Sequence, residues 1–179
     1  MITPMKTRPK PSNNNGKRIF LVLLVLAGVV FIVSLFLDRY QGIIQLAALI
    51  LLTASLFFYN RYLATTYEYE ITTDYDGIPV FVVSSYSTKR VSALCRIALW
   101  DIREIVRMRR EERKTHQTPK DTSKHDYTPT LSPDSVLCIV QRSRYEKSEI
   151  FIESNEAFEQ CLRDAVEEAY SLRPSDDEE

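Results

Sequence analysis

Few residues in this chain have the types and spacing that chemistry needs. Its two histidines, His116 and His125, lie in a polar stretch rich in Lys, Arg and Pro. A general base must be held in place by a second group, and a loose segment holds none, so both are expected to be solvated loop side chains. Cys95, Cys138 and Cys161 are odd in number, lack CxxC spacing and sit among apolar neighbours. They read as small core residues in a reducing compartment rather than a metal or redox site. Glu111 and Glu112 are adjacent, so they do not share one face of a helix or strand. No Gly-rich phosphate loop, HExxH or GxSxG is present, and four glycines leave little scope for one. The expectation is therefore no catalytic residue, no cofactor, no metal and no small-molecule substrate: the chain is not read as an enzyme.

One cluster stands above this background: Arg107, Arg109, Arg110, Arg113 and Lys114. Near an anionic leaflet each Lys or Arg contributes on the order of 1 kcal/mol of attraction, so the five are candidates for membrane contact. A solvated charged loop is the plainer reading of the same residues and the preferred one. Nucleic acid is not expected as a partner. No stacking aromatic stands between the cations, and the acidic C-terminal part opposes a phosphate backbone.

The elements that would position this cluster begin with two apolar runs. The chain has 179 residues, enough for one modest domain plus extras. Its mean hydropathy of −0.19 averages a very apolar quarter with a polar remainder. Ile19–Leu37 is nineteen residues without a charge, and Gly42–Asn60 is a second such run. At about 1.5 Å per residue each nearly matches a bilayer's hydrocarbon thickness. Asp38–Gln41 is too short to hold a domain, so residues 19–60 read as a transmembrane hairpin. A cleaved signal peptide fits less well, because the first run is long, lacks a small-residue cleavage site and leads at once into a second span. Five cations and no acid precede the first span within residues 1–18, and Arg61 follows the second. The positive-inside rule then places both termini in the cytoplasm of a multi-pass cell-membrane protein. Gln45, one turn into the second span, is expected near the headgroups, with a hydrogen bond across the hairpin or to another copy as the alternative.

The remaining residues read as a small sheet and a helix. Tyr67, Tyr69 and Ile71 alternate with Glu68, Glu70 and Thr72, a period of two. Asp74–Gly77 is turn chemistry, and strand composition returns over Val80–Tyr86. A second turn is expected at Ser87–Arg90. Leu94–Arg110 shows helical spacing, but no cap precedes it. The preferred reading is a strand over Val91–Trp100, a tight turn over Asp101–Glu104 and a strand over Ile105–Met108. Trp100 is expected in the core, with an interfacial anchor as the alternative. About 109–134 is read as a flexible polar insert, because it has almost no apolar residue to offset its ordering entropy. Strands are expected over Val136–Arg142 and Ser148–Ser154, joined at Arg144–Lys147. A helix follows, capped by Ser154 or Asn155 and striped with Phe158, Cys161, Leu162, Ala165, Val166 and Ala169. Pro174 should stop it, leaving residues 173–179 as an acidic tail.

Consecutive strands closed by one amphipathic helix, directly after a transmembrane hairpin, resemble the bacterial PH-like domains of small membrane proteins. "YEYEIT", "GIPVFVVSSYSTKRVSALCRIAL", "LWDIREI" and "NEAFEQCLRDAVEEA" carry the resemblance, over roughly residues 65–172. It implies an α+β fold in which the terminal helix closes an antiparallel sheet or partial barrel. It also implies a membrane-anchored binding or scaffolding module that meets an unidentified protein partner, with lipid-surface contact as an addition. The alternative is an accessory subunit of a larger membrane complex that associates through the hairpin. Six strands are counted where the full PH fold has seven. The first hairpin loop, Asp74–Gly77, is acidic where phosphoinositide-binding members are basic, so inositol-lipid binding by that mode is not expected.

Overall fold

The computed structural model describes residues 3–87, 90–143 and 146–172. The parts of the two expected turns at residues 88–89 and 144–145, together with Pro174 and the acidic tail, lie outside the described residues. Two long helices come first: α1, Asn15–Ser34, and α2, Gln41–Tyr59. Both are apolar enough and long enough to cross a membrane, and most of their side chains are exposed. Exposed apolar side chains on every side suit lipid and not water. The Ser and Thr hydroxyls in these helices stay satisfied without solvent. Ser34 Oγ donates to the Phe31 carbonyl (2.6 Å), and Thr53 Oγ1 donates to the Leu49 carbonyl (2.9 Å). Ser55 Oγ donates across the hairpin to the Phe20 carbonyl (3.3 Å).

No free linker follows the second helix. A single wide turn, Asn60–Ala64, carries α2 directly into β2 (Thr65–Thr73), and Thr65 Oγ1 donates back to the Asn60 carbonyl (2.7 Å). The soluble part is α+β, with two four-stranded sheets and no closed barrel, where one bent sheet or partial barrel was expected. The first sheet has the order β1-β2-β3-β4, with β1 at Met5–Thr7, β3 at Pro79–Ser87 and β4 at Arg90–Ala98. The second has the order β5-β7-β8-β6. Its strands are β5 (Ile102–Arg109), β6 (Ser123–Asp126), β7 (Ser135–Arg142) and β8 (Lys147–Ile152). Every pairing is antiparallel except β6 with β8.

The ambiguous stretch Leu94–Arg110 resolves as strand, corner, strand. β4 ends at Ala98, a short 3₁₀ turn spans Leu99–Asp101, and β5 begins at Ile102. A register shift between Ile102 and Glu104 marks the corner where the chain passes to the second sheet. Leu99 is the buried side chain there, and Trp100 is only half-buried. In the first hairpin the Gly77 amide donates to the Asp74 carbonyl (3.0 Å), and Gly77 takes φ +77°. An L side chain rarely adopts that conformation.

The inner faces of both sheets and α4 (Glu156–Ser171) form one core. Asn155 caps α4, its side-chain oxygen accepting from the Phe158 amide (2.8 Å). The stripe Phe158, Leu162, Ala165, Val166 and Ala169 is buried as the spacing predicts. The Phe158 ring sits 6.2 Å from that of Tyr69 and 6.4 Å from that of Phe81. A second cluster lies on the outer face of the second sheet: Val136, Cys138 and Phe151, with Met108 and Val140.

Two expectations need correction. Eight strands are present among the described residues, not six. The additional ones are β1, inside the N-terminal tail, and β6, inside the polar insert. That insert, expected to be flexible, instead takes regular structure, with α3 (Arg110–Thr115) followed by β6. The reason is the outer apolar cluster. Apolar side chains on both faces of β7 and β8 need a cover, and the insert supplies it with few apolar residues of its own. Arg113 and Lys124 lay their stems and charges over the Phe151 ring, at 5.6 and 4.9 Å from its centroid.

Candidate functional site

The site lies where α2 meets the insert. Arg61, just past α2, donates to the Asp126 carbonyl (2.9 Å) and the Thr128 carbonyl (3.2 Å). Asp126 then sets a tight turn, its carboxylate accepting from the Thr128 amide (3.1 Å) and hydroxyl (2.7 Å). The tail before α1 grips the same loop. The Ser12 amide donates to Thr130 Oγ1 (2.8 Å), and Asn13 Nδ2 donates to the Ser132 carbonyl (3.2 Å). Ser132 sits in the left-handed region at φ +57°, an uncommon position for a residue other than Gly, Asn or Asp. At the base of the hairpin Gly16 faces Tyr62 so closely that a Cβ there would come within 2.8 Å of the Tyr62 Cβ. The loop 126–132 is thus tied both to the end of α2 and to the segment that leads into α1.

A cavity of about 250 Å³ opens against this loop. Tyr62, Arg110, Arg113, Lys114, Lys124, Asp126, Thr128, Thr130, Leu131, Ser132 and Pro133 line it. Four cations face one carboxylate, which Arg113 already pairs. Lys114 Nζ also reaches the exposed carboxylate of Glu111 (3.0 Å). Tyr62 belongs to the turn that extends α2, so the cavity sits at the end of the hairpin. No nucleophile with a positioned base lines it. Its lining carries an excess of positive charge.

Of the five cations expected to act together, the fold gathers three: Arg110, Arg113 and Lys114. Arg107 is directed elsewhere, donating from Nε to Glu159 Oε2 on α4 (2.6 Å). Arg109 precedes α3, and its backbone amide donates to Glu112 Oε2 (2.7 Å); its side chain does not line the cavity. Lys124 and Tyr62 also belong to the site, outside the five cations expected to act together. Lys124 sits in the four-residue strand SKHD, whose pattern has no apolar period, and only folding brings Tyr62 beside it.

Two cations of the basic tail are also committed. The Lys6 ammonium lies 2.6 Å from Glu68 Oε1, Arg8 Nε pairs with Glu68 Oε2, and the Tyr86 hydroxyl donates to Glu68 Oε1 (2.6 Å). Burial pushes the Glu68 carboxyl upward, but the hydrogen bonds from Lys6, Tyr86 and Arg8 outweigh it and hold the group at about 2. Because β1 precedes α1 and β2 follows α2, their pairing puts the tail and the domain on one side of the hairpin.

The histidines part company. His125 stacks on Tyr127, with ring centroids 6.1 Å apart. His116, expected to be a solvated loop side chain, is half-buried, with Nε2 2.9 Å from Glu149 Oε2. Thr118 Oγ1 donates to the same oxygen (2.7 Å). Donor atoms of His116, Cys138 and Glu149 all lie within 4.8 Å of one another. Burial first, then the nearby Glu149 charge, pushes the Cys138 thiol up to about 12. Cys95 and Cys161 are partly buried and pack against the main core, as small apolar residues do. No family model matches this chain, and no curated protein matches it significantly.

Proposed function

We propose that the protein is a membrane-anchored, non-enzymatic binding module. Its hairpin holds a PH-like domain at the cytoplasmic face, where the domain meets a protein partner while its basic cavity engages the anionic leaflet. The observation that carries this reading is the cavity lined by Arg110, Arg113, Lys114 and Lys124 beside Tyr62, at the end of the second span. Tethering supplies a high local concentration of headgroups, and several cations close to an anionic surface add about 1 kcal/mol each. Two sheets with a C-terminal helix in their shared core support the PH-like reading, and the basic residues flanking the spans support the cytoplasmic orientation.

Native mass spectrometry of the full-length protein, released from bilayers of mixed zwitterionic and anionic phospholipid, tests the lipid part. Selective retention of anionic lipid is expected, and its loss in the Arg110→Glu/Lys124→Glu variant. Equal retention of both lipid classes would refute it. Affinity purification in mild detergent, with and without those substitutions, tests for the protein partner.

One observation favours the second reading, an accessory subunit that associates through its hairpin. A groove of about 500 Å³ between α1 and α2 is lined by Leu24, Ala27, Gly28, Phe31, Gln45, Ala48, Leu49 and Leu52. Small residues allow a close approach there, and a polar amide in lipid gains from a partner. Partners that persist on the isolated hairpin would favour this reading over the first.

A further inference from the structure

We propose that His116, Cys138 and Glu149 form a zinc site that pins the polar insert to the second sheet. The three residues come from three separate elements. His116 follows α3 in the insert, Cys138 lies on β7 and Glu149 on β8. They converge on the outer face of the sheet, with Cys138 fully buried and Glu149 4 % exposed. Their donor atoms lie within 4.8 Å of one another. Tetrahedral zinc with bonds of 2.0–2.3 Å sets its donors about 3.3–3.8 Å apart, so the widest separation must close by about an ångström while His116 Nε2 and Glu149 Oε2, 2.9 Å apart, open slightly as the ion replaces their hydrogen bond.

Charge singles out this site. Among the described residues no Lys or Arg pairs with the buried Glu149 carboxylate; its partners are an imidazole and a hydroxyl. A divalent ion bound by one thiolate, one carboxylate and a neutral imidazole is a neutral complex, which suits a buried apolar face. Binding replaces the Cys138 S–H bond with an S–metal bond and releases that proton to solvent. The mix of thiolate, imidazole and carboxylate suits zinc better than the hard cations magnesium and calcium. Three protein donors leave a fourth tetrahedral position for water. Because two donors belong to the sheet and one to the insert, the ion would act as a clamp.

The test uses metal-free full-length protein in detergent, titrated with Co²⁺ and then Zn²⁺. One equivalent of Co²⁺ should give a thiolate-to-cobalt charge-transfer band, which Zn²⁺ then abolishes. Cys138→Ser should remove the band, and His116→Ala should weaken binding at least tenfold. Cys95→Ser and Cys161→Ser should leave it unchanged. Circular dichroism of each apo variant separates lost binding from lost folding. X-ray absorption of the Zn²⁺-loaded native chain needs no variant, and a single sulfur scatterer at about 2.3 Å is expected. No band at one equivalent, a band that survives Cys138→Ser, or a zinc shell without sulfur would overturn the site.

Discussion

The ammonium of Lys6 lies 2.6 Å from the carboxylate of Glu68, a side chain only 2 % exposed. This contact joins the segment before α1 to the first strand after α2. It turns a basic tail, which by composition alone belongs to the membrane surface, into the edge strand of a sheet. Lys6 and Arg8 are thereby spent on protein, whereas the cavity beside Tyr62 keeps four cations in its lining.

Glu68→Gln removes the charge that holds Lys6 and Arg8. The buried amide keeps part of the hydrogen bonding, so a cost of about 1–3 kcal/mol is expected. Thermal unfolding in detergent reads the stability. Trypsin should also cut the tail at the Lys6–Thr7 bond faster in the variant than in the native chain, since Arg8 and Lys10 precede prolines.

The same contact sets an acid limit. Glu68 is held at about 2, below its ordinary 4.5, so its contribution is complete above about 4.5 and fades as pH falls toward 2. Unfolding midpoints measured from pH 6 downward should drop through that window. The drop should be shallower in Glu68→Gln, and an equal slope in both proteins would remove Glu68 as its cause.

Gly16→Val tests the join between hairpin and domain. The added side chain meets Tyr62 at a backbone-linked Cβ, which cannot swing away. A loss of about 1–3 kcal/mol is expected from overpacking. Gly42→Ala, where a Cβ meets nothing within 4 Å, is the control and should be near neutral.

Phe158→Ala empties the centre of the core between Tyr69 and Phe81. A cost of about 3–5 kcal/mol is expected, enough to unfold a marginal domain. Loss of the folded near-ultraviolet dichroism while the hairpin helices persist would show that α4 closes the soluble part.

The elements legible in the sequence are those with a strong period or a uniform composition. The two long helices follow from unbroken apolar runs, β2 from the alternation at Tyr67–Thr72, and α4 from the spacing of Phe158, Leu162 and Ala165. β1 and β6 were not legible, because MKT and SKHD have no apolar period and are strands only where a neighbour offers an open edge. The order of the insert had one overlooked signal. "VLCIV" is apolar at every position, which a strand covered on one face does not need. Something had to cover its second face, and only the insert remained. The site suffered from the same gap. Arg110, Arg113 and Lys114 stood out as a cluster, whereas Lys124, Tyr62 and the His116–Glu149 contact depend on long-range packing that spacing does not encode.

Hydrogen exchange on the full-length protein in bilayer discs, read over residues 109–134, tests the proposed contact between the cavity and an anionic leaflet most directly. Discs of anionic lipid should slow exchange there relative to discs of zwitterionic lipid, and Arg110→Glu/Lys124→Glu should abolish the difference. Equal exchange in both discs, or protection that survives the charge reversal, would contradict the account.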